Sequence, residues 1–343
     1  MGVGVTRRSC MSFAAAACLA LPTALPAGAQ TPLKLTLDGK LEGPAAPFLV
    51  ALEQGYFKAE GLEVTIEASA GALEPITRVA SGAFDIGVGD MNMLIRYHDQ
   101  NPAAPLKAVF VVNNRPSYAI IGRKSRGVAA PADLEGKKLG APAIEQASTQ
   151  WPIFAKLNQL DAAKVSVINV GIAVREPMLM AGEVDAVTGI SFSSPIVLRE
   201  KGVPADDIAV LLMSAYGLDL YGNAIFVNSK VLAEKPEAVK GFLRALTQGL
   251  KETLREPVTA VLAVVRRNGG ATRDLELQRL LIAIRDCILT PEVRANGLGA
   301  IDSARFDTGI EQIALGYTFK NKPKLVDIFD ASFLPTDAER KLD

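Results

Sequence analysis

Between Leu33 and Asp90 the spacing of apolar positions switches repeatedly between the period of a strand and that of a helix. Leu33, Leu35 and Leu37 alternate with Lys34 and Thr36, and Asp38-Gly39 breaks the run. Residues 47–57 follow with helical spacing, residues 60–67 carry the next alternating strand, and residues 76–90 run from helix into strand. The same rhythm continues. Strands are predicted at 108–112, 117–122, 139–141, 165–170, 186–188, 208–213 and 224–227. Short helices are predicted at 131–138, 148–160 and 176–181, with Trp151, Phe154, Ala155 and Leu157 on one helix face. From Pro236 the chain turns helical: Val239, Phe242, Leu243, Leu246 and Leu250 keep helix spacing, and further helices cover 258–267, 273–287 and 303–315. Strands alternating with helices predict an α/β fold with mostly parallel sheets and ligand loops at the strand ends.

The block from Arg123 to Gly222 has its own strand–helix alternation and reads as a second lobe inserted into the first. The expected division is an export signal at 1–29, the first part of lobe one at 30–121, lobe two at 122–222, and a return to lobe one with C-terminal helices at 223–343. The chain would cross outward near Ile120 and Arg123 and return near Tyr221 and Val227. Two crossings make a hinge, and a hinge between two lobes makes a cleft.

The first 29 residues read as a leader. Arg7-Arg8 form a positive start, residues 13–21 are apolar, and Ala27-Gly28-Ala29 before Gln30 is a small-x-small cleavage site. The apolar run falls short of the ~20 residues that span a bilayer. Thr6-Arg7-Arg8 raises the twin-arginine route, but Ser9-Cys10-Met11 matches that motif poorly, so the ordinary secretory route is expected. Cys18 is read as part of the signal rather than a lipidation site. Without residues 1–29 the chain has 35 Lys plus Arg against 37 Asp plus Glu, which gives no sign of a nucleic-acid surface. Cys287 is then the one cysteine left, so no internal disulfide can form and packing must supply the stability. A small buried residue in a helix is the expected role of Cys287.

Candidate binding residues sit where strands are expected to end. Asp38 and Gly39 follow the first strand. Ser69 and Gly71 lie between a strand and a helix, where free N–H groups could hold an anion or Ser69 could simply cap the helix. Gln146 and Ser148 offer the same pair of readings on lobe two. Asp90 ends the third strand and can accept from a ligand donor or cap the helix that follows. Asn113 sits near the outward crossing, and Tyr221 and Asn223 flank the return and are expected to face the cleft. Gly55 and Gly61 are expected at positive φ, and Tyr56 and Phe57 in the core. His98 is the lone histidine, placed at a helix end. No Cys/His cluster has metal spacing and no Gly-rich phosphate loop is present, so neither a metal nor a cofactor is expected.

Several segments together resemble one family. These are Pro47-Phe48 with Ala51-Leu-Glu-Gln-Gly-Tyr-Phe-Lys-Ala-Glu-Gly-Leu-Glu-Val64, Ala80-Ser-Gly-Ala-Phe-Asp-Ile-Gly-Val88, and Asp133-Leu-Glu-Gly-Lys-Lys-Leu-Gly140. Glu176-Pro-Met-Leu-Met-Ala-Gly-Glu-Val-Asp-Ala186, Tyr216-Gly-Leu-Asp-Leu-Tyr-Gly-Asn223 and Phe329-Asp-Ala-Ser-Phe-Leu-Pro335 continue it. In order and spacing they are similar to the solute-binding proteins of ABC importers in the nitrate, sulfonate, taurine and thiamine-precursor group. The resemblance implies the two-lobed type II periplasmic-binding-protein fold. It also implies an exported, monomeric receptor that binds a small solute, anionic or heterocyclic, and delivers it to an inner-membrane permease and its ATPase. Where many relatives carry an aromatic residue after the first strand, this chain has Gly39-Lys40. Two alternatives remain beside it: an enzyme of the same fold acting on a small metabolite, and a sensor subunit for a membrane kinase. The fungal thiamine-pyrimidine synthase shares the fold, but its cysteine-rich motif is absent here.

Overall fold

The computed structural model describes residues 1–4, 30–143 and 145–342; beyond its first four residues, the expected export signal lies outside the described residues. The first strand, β1 (Thr31–Thr36), places Leu33 and Leu35 in the core and Lys34 at the surface, as its alternation requires. It pairs in parallel with β2 (Leu62–Glu67) and β3 (Ile86–Asp90). Between them run the helices Ala46–Glu53 and Tyr56–Ala59, separated where Gly55 takes a φ of 75°. Gly55 and Gly61 both have the expected positive φ, 75° and 71°.

Two five-stranded sheets result. The first has the order β2-β1-β3-β10-β4, with β4 at Leu106–Val111 and β10 at Asn223–Asn228. The second has the order β7-β6-β8-β5-β9. Its strands are β5 (Tyr118–Arg123), β6 (Lys138–Gly140), β7 (Ser166–Ile168), β8 (Ala186–Ile190) and β9 (Ile208–Leu212). In each sheet one strand runs against the rest: β10 in the first and β5 in the second. These are the strands the chain uses on entering a sheet from the other side of the hinge. The remaining four strands of each sheet therefore point their C-terminal ends at the same gap.

The sequence of β3, Ile-Gly-Val-Gly-Asp, follows from its neighbour. A Cβ on Gly87 would lie 2.3 Å from the Phe226 ring of β10, so only glycine lets the two strands pair there. On the outer face of this sheet the long helix Pro236–Arg255 buries Phe242, which stacks on Phe57 at 5.0 Å between ring centroids. On the other side, Phe306 and Ile310 of the helix Ser303–Ala314 join a core that also holds Ile76 of the first lobe and Trp151 and Phe154 of the second. The expected helix 148–160 is in fact two, Gln146–Thr149 and Trp151–Leu157, with Pro152 in the first turn of the second.

The crossings differ from the expected positions. Tyr118–Arg123 already belongs to the second sheet, so the outward crossing occupies residues 112–117 rather than the vicinity of Ile120 and Arg123. A boundary at 121/122 would cut β5. Apolar strands on both sides of the crossing left no break in the pattern to mark it. The return occupies residues 217–222, and the two crossings hydrogen-bond to each other: Asn113 N–H donates to Asn223 O (3.0 Å) and Gly222 N–H to Asn113 O (2.9 Å). Arg305 clamps them from below. Its guanidinium donates to Asn114 O and Leu220 O (2.9 Å each), one carbonyl from each crossing. It also pairs with Asp219 (2.7 Å) and Glu292 (2.9 Å) and lies 4.1 Å over the Tyr221 ring.

Two outcomes in denaturant unfolding follow. Phe57→Ala removes a ring that is 1% exposed and stacked, and should cost about 3–5 kcal/mol. Arg305→Met removes the cation paired with Glu292 and the donor to two crossing carbonyls, and should cost about 3–5 kcal/mol. An unchanged midpoint for Arg305→Met would mean the clamp does not hold the crossings.

Candidate functional site

The strand ends of both sheets face one cavity of about 270 Å³. From the first sheet come Asp38 and Gly39 after β1, Asp90 at the end of β3, Asn113 after β4, and Asn223 at the start of β10. Gly71 and Ala72 close one side. From the second sheet come Ser117 and Tyr118 at the start of β5, Glu145 and Gln146 after β6, and Ile190, Phe192 and Ser193 at the end of β8. Apolar walls are supplied by Leu37, Phe48, Val88 and Val112 on one side and by Ile172 and Phe192 on the other. Apolar walls around a few convergent polar groups are what a small-molecule pocket needs.

Of the ten expected site residues, the structure gathers Asp38, Gly39, Gly71, Asp90, Asn113, Gln146 and Asn223 around this cavity. Three are turned elsewhere. Ser69 is buried beneath the loops: its hydroxyl accepts from Gly39 N–H (3.0 Å) and donates to Gly71 O (3.2 Å), stapling two loops together. Ser148 shares a 2.7 Å hydrogen bond with Thr188 of β8, because its one-turn helix points it back at its own sheet. Tyr221 is 3% exposed beneath Arg305, and its hydroxyl donates to Glu292 (2.7 Å) and accepts from Asp302 N–H (2.8 Å). It belongs to the hinge clamp, not to the cavity.

One of the expected anion-holding N–H groups is already taken. Ala70 N–H donates to the Glu74 carboxylate at 2.5 Å, and Glu74 in turn bridges Arg78 at 2.5 Å. At the other place a carboxylate, Glu145, immediately precedes the single turn Gln146–Thr149. Its carboxylate makes no hydrogen bond to that turn and is held by Arg175 instead.

The cavity is rich in carboxylates, and they differ in how they are paired. Glu145 forms a buried ion pair with Arg175, which also holds Glu176 at 2.7 Å and Ser194 at 3.0 Å. Burial still raises the Glu145 carboxyl above the usual range, with Arg175 opposing the shift. Glu42 lies 3.5 Å from Arg279. Asp90 caps the helix Met91–Gln100 through Met93 N–H (2.8 Å) and accepts from the Tyr118 hydroxyl. Burial raises Asp90, while Tyr118 and the helix N–H groups pull the other way. Asp38 receives one hydrogen bond, from the Asn223 amide at 3.1 Å. Burial first, and Asp90 second, push its carboxyl up to about 6.

Tyr118, Glu145 and Phe192 were not singled out in the sequence. Tyr118 opens a strand and looks like any sheet aromatic; its hydroxyl contact with Asp90 depends on the two lobes meeting. Glu145 adjoins a residue that was expected, but nothing local separates a cavity carboxylate from a solvated one. Among the described residues that line the cavity there is no histidine or cysteine. Cys287 is fully buried elsewhere, and burial pushes its thiol well up. His98 meets Leu106 O at 2.9 Å, a structural contact.

This geometry has known counterparts. The chain is 27% identical over 271 residues to the riboflavin-binding protein RibY of Chloroflexus aurantiacus, covering 76% of this chain and 73% of that protein. It is 23% identical over 220 residues to the 4-amino-5-hydroxymethyl-2-methylpyrimidine phosphate synthase of Schizosaccharomyces pombe, covering 62% of each. The periplasmic aliphatic sulphonate binding protein SsuA from Escherichia coli superposes with a TM-score of 0.70 at 12% identity, over 89% of this chain and 94% of that one. The fold is therefore that of the two-lobed periplasmic binding proteins. Residues 44–260, well over half of the chain, match the family described as NMT1/THI5 like, and the protein belongs to that family.

Proposed function

We propose that this protein is the solute receptor of an ABC importer, working in the periplasm as a monomer and handing its ligand to an inner-membrane permease and its ATPase. The observation that carries this reading is the single cavity lined from both sheets, spanned by two crossings that pair with each other. A solute in such a place gains contacts on both walls only when the lobes close, so binding and closure are one equilibrium. In this reading the segment between the crossings, residues 118–212, is the moving lobe, and Asp38, Gly39, Gly71, Asp90, Asn113, Gln146 and Asn223 are the ligand contacts. RibY, a binding protein by name, supports the receptor class, and the periplasmic SsuA supports the location. No helix among the described residues is long and apolar enough to cross a membrane.

A relative named as a synthase keeps an enzyme of the same fold as the second reading. The cavity walls favour the receptor. Of their carboxylates, Glu145 is tied into an ion pair and Asp90 into a helix cap, and the one cysteine of the described residues is buried away from them. The experiment is a thermal-shift screen of small solutes, followed by solution scattering and turnover assays on the hits. A ligand should raise the melting temperature, by linkage, and shrink the scattering envelope without consuming the ligand. Conversion of a hit into product would replace the receptor reading with the enzyme one.

Gly71→Trp tests the cavity assignment. Gly71 lines the cavity and a Cβ there meets nothing within 4 Å, so a bulky side chain starts in open space at the cavity's edge. Affinity for a screening hit should fall at least about tenfold, worth 1.4 kcal/mol, with the melting temperature of the empty protein kept. For the leader, motivated by Ala27-Gly28-Ala29, mass spectrometry of the exported product should find Gln30 first. Retention of residues 1–29, or a lipid on Cys18, would contradict the location.

A further inference from the structure

We infer that the cleft selects a solute that presents a cation or N–H donors to Asp38, and that it rejects anions of the same size. This rests on the receptor reading and names its ligand class. Among the described residues the charged groups around Asp38 can be counted off. On its own loop are Lys40 and Glu42, and Glu42 is drawn away by Arg279 at 3.5 Å. From β3 comes Asp90, whose two oxygens serve Met93 N–H and the Tyr118 hydroxyl, with Arg96 behind it. From β10 comes the neutral Asn223, and from the opposite wall Glu145, matched by Arg175.

Asp38 differs from each of the other carboxylates in this set. Among the described residues no cation bridges it, and one of its oxygens takes the Asn223 amide while the other has no partner. Asp38 is half-buried and lines the cavity, so a further donor for that oxygen can come from there. An anion would meet Asp38 and Asp90 on one wall and Glu145, matched by Arg175, on the other, with the Ala70 N–H spent on Glu74 and the exposed Lys40 as the one cation among the described residues of the lining. The apolar faces of Phe48, Val112 and Phe192 suit a flat or aliphatic body behind the donor group.

The energetics of the empty site point the same way. A carboxyl held up at about 6 carries a cost whenever it is ionised, and a donor or cation relieves that cost. Binding of a permanent cation therefore weakens as pH falls below about 6, where Asp38 takes up a proton that the ligand must expel.

Calorimetric titration of the exported chain at pH 7.5 tests the class. The probes are three 4-amino-2-methylpyrimidines of equal size, bearing at C5 an aminomethyl cation, a hydroxymethyl group or a carboxylate. Agmatine and propanesulfonate serve as a cation and an anion without the ring. Cation and neutral donor should bind at least about 100-fold more tightly than the carboxylate, and propanesulfonate should not bind. Agmatine binding without the pyrimidines would uphold the class. The carboxylate or propanesulfonate binding as well as the cations, or none of the five binding, would overturn it. An anionic hit from the thermal-shift screen would overturn it while leaving the receptor standing; a screen with no hit of any charge would count against the receptor itself.

Asp38→Asn supplies the residue-level readout with the aminomethyl probe. In the native protein the dissociation constant should rise toward tenfold per pH unit below about 6, and in Asp38→Asn that slope should vanish. The empty Asp38→Asn protein should melt no lower than the native one at pH 7.5, since the substitution removes an ion that burial disfavours. A lower melting temperature with the pH slope intact would mean that Asp38 only props the loop.

Discussion

β10 enters the first sheet antiparallel between β3 and β4, and its register sets Asn223 directly opposite Asp90. Most of the cleft depends on that placement. The strand begins where the return crossing ends, so the residue that closes the hinge is also the one that meets the ligand face. Asn223 O accepts from Val112 and Asn113 N–H, tying the two crossings, while its side chain reaches Asp38 at the end of β1. A slip of one residue would turn the Asn223 side chain to the other face of the sheet and leave Asp38 without its one donor. Gly222 makes the register possible, because a Cβ there would lie 2.8 Å from Arg115 O and 2.9 Å from the Asn113 Cβ.

The strands and the cavity-lining loops were legible because their signal is local. β1 could be read from Leu33 and Leu35 alone, and Asp38 and Gly39 follow it at the only place a parallel strand can present a loop to the gap. Asp90 was readable as a cap and is one; that it also lines the cavity depends on β3 ending there. What failed was the direction of side chains in short elements. Ser69 and Ser148 lie within two or three residues of cavity contacts, yet each spends its hydroxyl on a neighbour, and a one-turn helix has no periodicity from which to read a face. Tyr221 was drawn toward the cleft by its neighbour Asn223, but alternation along an extended segment puts residues two apart on one face only where the segment is flat. The close turn at Gly222 breaks that rule. The crossing was misplaced by a few residues for a related reason: Tyr118 continues the apolar run, so the passage between sheets leaves no mark in hydropathy.

Three arginines each gather two carboxylates. Arg305 gathers Glu292 and Asp219 at the hinge, Arg175 gathers Glu145 and Glu176 behind the lobe-two wall, and Arg279 gathers Glu276 and Glu42 beside the lobe-one loop. Such pairs contribute little net stability relative to apolar packing, but each is costly to break, so each fixes a geometry. Their positions are informative. One holds the crossings, and the other two stand behind opposite walls of the same cavity.

The fold alone does not carry the ligand across. SsuA shares the architecture at a TM-score of 0.70 and is named for binding aliphatic sulphonates, yet 12% identity leaves the lining residues free to differ. In this chain the Ala70 N–H is occupied by Glu74, and the strand ends bring carboxylates to the cavity. The backbone frame supplies a gap between lobes and a hinge, and it constrains which positions point into the gap. In the proposed reading the charge of what enters is decided by a few side chains, Asp38 first among them, a carboxylate with one hydrogen bond, from Asn223.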